Sequence, residues 1–313
     1  MMNGKIEGLD IEEKIENTVL SRVGNTPLIK IDISQDISDK VEIYAKLEYF
    51  NPGGSIKDRP ILRMIREAIK SGELTHDKII LDSTSGNAGI AYSMIGAALG
   101  YKVELVMPGN ASEEREKSIR AYGANIIVTD PIKGYDEAIK KAHELLEENP
   151  DKYYMSDQYA NENNPIAHYD TTGKEILEQT KGKITHFICG IGTGGTVMGV
   201  GRRLKEHNPD IKIYVITPED FPGIEGLKPM GSEYIKPKIY RDDFIEDLKF
   251  YITSEDAREM CNILSRETGL FVGQSSGAFM KGAIELAREI NEGLIVTVFP
   301  DTGNRYFSTQ LWD

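Results

Sequence analysis

The chain has 313 residues, 40% of them hydrophobic and 28% charged, which suits an ordinary globular protein large enough for two substantial cores. With 50 acidic against 37 basic residues its formal charge is −13, which argues against nucleic acid or an anionic membrane surface as the main partner and makes any anion binding local. The N-terminus carries no cationic-plus-apolar leader and no long uncharged apolar stretch follows, so a cytoplasmic protein is expected. Cys189 and Cys261 are too few for a disulfide framework, and the five histidines lack metal-ligand spacing, so no metal is expected. His168 reads as a packing or hydrogen-bonding group rather than a base.

In chain order, apolar strand-like runs alternate with amphipathic helical ones: 41–47, 56–71, 78–81, 90–99, 102–107, 112–122, 125–128 and 135–148. A second series follows from about Pro165 and ends with a strand at 294–299. Such alternation predicts an α/β protein of two doubly wound domains with mainly parallel sheets. The stretch 218–249 has weak periodicity and many charged and turn residues, which marks a loop region.

The first run that carries chemistry is Asn51-Pro52-Gly53-Gly54-Ser55-Ile56-Lys57-Asp58-Arg59, a glycine-rich turn opening into a helix. A lysine held there can be partly desolvated and lose its proton, which lets it form a Schiff base with an aldehyde. The same residues also read as a solvated charge cluster in a first helical turn.

Thr84-Ser85-Gly86-Asn87-Ala88-Gly89 joins the predicted strand 78–81 to the predicted helix 90–99. Hydroxyls, an amide and backbone N–H groups then converge at a helix N-terminus, where anions are favoured, though a Ser/Asn-capped helix would look alike. Gly190-Ile191-Gly192-Thr193-Gly194-Gly195-Thr196 makes a second such corner, between a strand at 185–188 and a helix at 197–207. Its glycines allow a phosphate to approach the backbone closely, and two threonine hydroxyls add donors. Glycines at 190, 192 and 195, with Glu219 after the next strand at 211–216, also satisfy a dinucleotide-binding pattern, which leaves a nicotinamide-dependent oxidoreductase open. That alternative leaves the lysine and asparagine runs without a job.

Together these runs resemble the fold-type II pyridoxal-phosphate enzymes, in particular the cysteine synthase (O-acetylserine sulfhydrylase) and cystathionine β-synthase group. The resemblance extends from Val23-Gly24-Asn25-Thr26-Pro27-Leu28 to Asp301-Thr302-Gly303-Asn304-Arg305-Tyr306. It implies pyridoxal 5'-phosphate as cofactor, an active site in the cleft between two domains, and a homodimer. It implies a smaller mobile domain at 48–160 and a larger one from 1–47 and 161–313 that carries the phosphate loop. Residue by residue, it makes Lys57 the Schiff-base lysine and Asn87 the amide facing the cofactor's ring hydroxyl. Thr84, Ser85, Gly86 and Gln158 would hold the substrate carboxylate, and Gly192, Thr193, Gly194, Gly195 and Thr196 the phosphate. Ser275, in Gln274-Ser275-Ser276-Gly277-Ala278, would face the pyridine nitrogen. A neutral serine there, unlike a carboxylate, makes a weaker electron sink, which suits expulsion of a β-substituent. The same serine also reads as a helix N-cap.

The activity implied is β-replacement, forming L-cysteine from an activated serine, O-acetylserine favoured, with sulfide or a thiol as acceptor. Two departures widen it. Ala88 stands where cysteine synthases commonly carry threonine, and the loop 217–230 is closer to branches with other leaving groups, its Glu225-Gly226 being similar to the β-synthase branch. Cystathionine or lanthionine formation, cysteine desulfhydration, O-phosphoserine as donor, or a non-catalytic amino-acid-binding role on the same scaffold are the alternatives. O-phosphoserine is disfavoured by Glu219, Asp220 and Glu225, with Lys228 and Arg241 as the offsetting cations.

Overall fold

The computed structural model describes residues 10–33, 37–84, 86–230, 236–241, 243–245 and 247–312. They form helices α1 (Ile11–Glu16), α2 (Asp58–Ser71), α3 (Asn87–Leu99), α4 (Glu113–Ala121), α5 (Gly134–Glu148), α6 (Asn163–His168), α7 (Lys174–Gln179), α8 (Gly195–His207), α9 (Ser254–Ile263) and α10 (Gln274–Glu289). The strands are β1 (Leu28–Lys30), β2 (Val41–Leu47), β3 (Ile79–Ser83), β4 (Val103–Pro108), β5 (Asn125–Thr129), β6 (Tyr153–Met155), β7 (His186–Gly190), β8 (Lys212–Pro218), β9 (Asp247–Ile252) and β10 (Gly293–Phe299). The chain divides into two compact units, Met1–Val23 with Asn51–Asn163, and Gly24–Phe50 with Asn164–Asp313.

In the first unit four parallel strands lie in the order β5-β4-β3-β6. Helix α2 buries Ile61, Met64, Ile65 and Ala68, the i, i+3, i+4, i+7 stripe that its sequence spells, in the same core as Ile80, Ile90, Ala91, Ile95 and Leu105. Helix α3 is buried almost throughout, and its small residues Gly89, Ala91 and Gly96 let it lie close to its neighbours. Residues 10–23 pack here rather than with the later unit, where the resemblance had put all of 1–47. Glu12 pairs with Arg66 and Lys70 of α2, and Leu20 is buried in the α2–α3 core.

The second unit holds the strand order β1-β2-β10-β7-β8-β9, parallel except for the antiparallel edge pair β1–β2. Strands β7 and β10 are buried along most of their length, as expected of parallel strands covered on both faces. The alternation read from the sequence is therefore present, with mainly parallel sheets. Strands β1, β6 and β9 were not foreseen: the first and second have three residues each, too short for a period to show, and the third begins inside the stretch read as loop.

Candidate functional site

Lys57 occupies the N-cap position of α2, at the end of a turn that its neighbours lock. Gly54, at φ +76°, donates its N–H to the Asn51 carbonyl at 2.7 Å. The buried Asp58 carboxylate accepts from Gly53 N at 2.5 Å, and a Cβ on Gly53 would meet it at 2.5 Å, so glycine is required there. Lys57 itself donates its backbone N–H to Ser55 Oγ at 3.3 Å. The side chain is half-buried, and burial pulls its amine down from 10.5 to about 8. The N-terminal end of a helix dipole disfavours a cation in addition. A neutral fraction that grows as pH approaches 8, rather than 10.5, is what a nucleophilic or basic lysine needs.

The corner at 84–89 is built by a side chain. Thr84 is buried, and its Oγ accepts from both Gly86 N and Gly89 N at 3.0 Å, which closes the loop and leaves the hydroxyl proton to donate elsewhere. Gly86 is the N-cap of α3 and Asn87 its first residue. Ala88 is buried and adds no donor. Ser85 lies outside the described residues. Gln158, also buried, donates from Nε2 to the Ser83 carbonyl at 3.4 Å, which brings it to the residue preceding Thr84. Arg115 of α4 was not anticipated: it is buried, and a Cβ on Gly86 would fall 2.6 Å from its Cδ, so it backs the loop directly.

The corner at 190–196 is built by glycines. Gly194, at φ +90°, is the N-cap of α8 and makes no side-chain cap, so the helix presents backbone N–H groups. Gly195 has Asn164 against it, where a Cβ would lie 1.8 Å from Oδ1, and Gly192 has the Gly226 carbonyl, where it would lie 2.4 Å away. Thr193 Oγ accepts from Asn164 Nδ2 at 2.9 Å. Thr196 Oγ lies 3.4 Å from His168 Nε2, and His168 Nδ1 lies 2.9 Å from Thr172 Oγ, so His168 is a buried hydrogen-bonding group. The loop 217–230 packs onto this corner through Lys228 N, which donates to the Ile191 carbonyl at 2.7 Å. Glu219, the acid that a dinucleotide fingerprint would need, instead accepts from Ser254 N at the start of α9.

Ser275 is the second residue of α10, not its N-cap; Gly273 takes that position. Asp301 fixes this helix start: its backbone carbonyl accepts from Gly273 N at 3.2 Å, and its Oδ1 would meet a Cβ on Gly273 at 2.1 Å. Tyr306 OH donates to the same carboxylate at 2.9 Å. Gln274 accepts from Glu225 N at 3.1 Å, so the loop around 224–228 touches both the glycine corner and the start of α10. Among the described residues no group of His, Cys, Asp or Glu could hold a metal ion, and no helix is long and apolar enough to cross a membrane.

Each unit offers one feature that a phosphorylated aldehyde would use: the first a neutral-leaning amine able to bind a carbonyl, the second a glycine corner whose backbone is bare enough for a phosphate. Residues 19–301 match the family described as pyridoxal-phosphate dependent enzyme, and the chain belongs to that family. Within it, this is an enzyme of the cysteine synthase kind, with the fold-type II architecture. A cysteine synthase of Aquifex aeolicus is 51% identical over 306 residues, covering 96% of this chain and 93% of the relative. The crystal structure of a cysteine synthase from Entamoeba histolytica matches with a TM-score of 0.88 at 36% identity, covering 95% of this chain and 90% of that one. A hydrogen sulfide-producing enzyme from Fusobacterium nucleatum matches with a TM-score of 0.85 at 39% identity, covering 93% and 99%. The nicotinamide and non-catalytic alternatives fall with this membership and with the engagement of Glu219.

Proposed function

We propose that the chain forms L-cysteine from O-acetylserine and sulfide, the β-carbon losing acetate and gaining sulfur with no net oxidation. The desolvated amine of Lys57 carries this reading, because a lysine titrating at about 8 can both bind an aldehyde and take a proton from the substrate's α-carbon near neutral pH. The cofactor, when bound, supplies the electron sink for the pair left at that carbon. Lys57 and Asn87 would hold its ring end, Gly192, Thr193, Gly194, Gly195 and Thr196 its phosphate, and Ser275 its pyridine nitrogen. The substrate carboxylate is assigned to the Thr84 hydroxyl, Ser85, the Gly86 backbone and Gln158. Thr84 supports this assignment, since both its acceptor positions are used inside the loop and its proton remains to be given.

The smaller, mobile domain, expected at 48–160, is assigned to 51–163 with residues 10–23 added, and the protein to the cytoplasm as a homodimer. A second reading, release of hydrogen sulfide from cysteine, draws on the likeness to the Fusobacterium enzyme and on Ala88. Comparing kcat/KM for O-acetylserine, O-phosphoserine, serine and cysteine, with and without sulfide, separates the two. The expected outcome is O-acetylserine first, with measurable use of other donors. Turnover of cysteine without O-acetylserine activity would replace the proposal by the second reading, and an exclusive preference for O-phosphoserine would defeat both.

A further inference from the structure

Behind the 84–89 corner lies a buried polar cluster that the reaction itself does not call for. Asp82, on β3, is almost fully buried, and its carboxylate accepts from Ser83 N at 2.8 Å, from Tyr92 OH of α3, and from Ser156 Oγ at 3.5 Å. Tyr92 OH and Ser156 Oγ lie 2.5 Å apart, and Ser156, just beyond β6, is itself buried. Burial pushes the Asp82 carboxyl up to about 7. Apolar residues of similar volume would fill this space without desolvating a carboxyl group, so packing alone does not account for the cluster.

Its placement does. Asp82 stands two residues before Thr84 and Ser156 two residues before Gln158, so the cluster joins segments 74 positions apart in the chain next to both. Between Ser156 and Gln158, Asp157 is held at φ +47°, a left-handed conformation uncommon for a residue with a side chain. That turn sends Gln158 back to the Ser83 carbonyl, which also accepts from Tyr135 OH at 3.1 Å.

We propose that Asp82, Tyr92 and Ser156 are positioning residues, which hold Gln158 against the 84–89 loop so that both grip one substrate carboxylate. This rests on the assignment of Thr84 and Gln158 to that carboxylate. Loosening the cluster misaligns two donors while leaving the lysine and the glycine corner untouched.

The test is steady-state kinetics of the holoenzyme with O-acetylserine and sulfide, with cofactor content measured on each variant. Tyr92→Phe and Ser156→Ala should each raise KM for O-acetylserine by about ten-fold, roughly one charge-assisted hydrogen bond, with kcat and cofactor content little changed. Asp82→Asn should raise KM as well, since an amide offers one acceptor oxygen where the carboxylate uses two, for Ser83 N and for Tyr92 OH. A purely structural role would lower thermal stability without that split between KM and kcat. Ser156→Ala sits at the edge of the cluster and keeps the test open if Tyr92→Phe folds poorly. Unchanged KM in folded Tyr92→Phe or Ser156→Ala, alongside a raised KM in Thr84→Ala and Gln158→Ala, would overturn the proposal alone. Unchanged KM in Thr84→Ala and Gln158→Ala would overturn the carboxylate assignment and this proposal with it.

Discussion

The two strand–loop–helix corners solve the same problem with different materials. At 84–89 a threonine hydroxyl closes the loop from within and a buried polar cluster steadies it from behind. At 190–196 glycines let the Asn164 side chain and the Gly226 carbonyl come against the backbone, and the helix start offers N–H groups with no side-chain cap. A corner built on side chains is tuned by swapping functional groups. A corner built on backbone is broken by adding a single carbon.

The largest expected effect falls on neither corner. Lys57→Ala should lower turnover by about a thousand-fold or more, the scale of a lost base compounded by a lost covalent anchor, while the fold survives because no core residue changes. Circular dichroism beside a sulfide-consumption assay checks both parts. A variant retaining near-parental turnover would remove Lys57 from the chemistry and leave both corners without their common purpose.

Next in size are the glycines. Gly195→Ala puts a Cβ 1.8 Å from Asn164 Oδ1, and Gly192→Ala puts one 2.4 Å from the Gly226 carbonyl. Overpacking of this kind costs about 1–3 kcal/mol, so cofactor affinity should weaken by roughly ten- to a hundred-fold. Gly194→Ala meets nothing closer than 3.8 Å but keeps a side chain at φ +90°. Its cost is conformational, about 1–2 kcal/mol, and its loss of affinity should be the smallest of the three. Cofactor titration by absorbance ranks them; equal retention in all three would move the phosphate elsewhere.

At the other corner the effect should appear in KM. Thr84→Val removes the acceptor that closes the loop, and should raise KM for O-acetylserine by about ten-fold, whereas Thr84→Ser should restore much of it. Cofactor retention should stay parental in both. If Thr84→Val instead lost cofactor, the division of labour between the corners would be wrong.

Both corners were legible in the sequence, because a glycine or hydroxyl run between a strand pattern and a helix pattern is a local signal. Lys57 and its turn were legible for the same reason. What supports them was not. Arg115 lies in the charged run Glu113-Glu114-Arg115-Glu116, which reads as a solvated face, and only the backing of Gly86 shows it to be buried. Asn164 and His168 reach the glycine corner from α6, some 30 residues earlier, a tertiary contact with no local trace. Asp82, Tyr92 and Ser156 are scattered polar residues whose meaning appears only when β3, α3 and the segment after β6 converge. The placement of Ser275 at the second position of α10 rather than at its cap follows from Asp301 seating Gly273 there, again a contact across the chain.

The smallest effect concerns protons, and it tests whether Lys57 is desolvated by the fold itself. Burial lowers the Lys57 amine from 10.5 to about 8, so between those values the unfolded chain holds a proton that the folded one has released. Stability of the cofactor-free protein should therefore rise with pH across that window, and below about 8 the fold bears the full cost of a buried ammonium. Lys57→Met removes this term alone. The variant should be the more stable of the two near pH 7, and the difference between them should shrink as pH climbs from about 8 towards 10.5. Urea unfolding of both proteins across that range measures it, every other titrating group cancelling in the difference. A constant gap would mean that the amine is not desolvated before the cofactor arrives, and that its reactivity is conferred by the bound aldehyde rather than by the turn at 51–57.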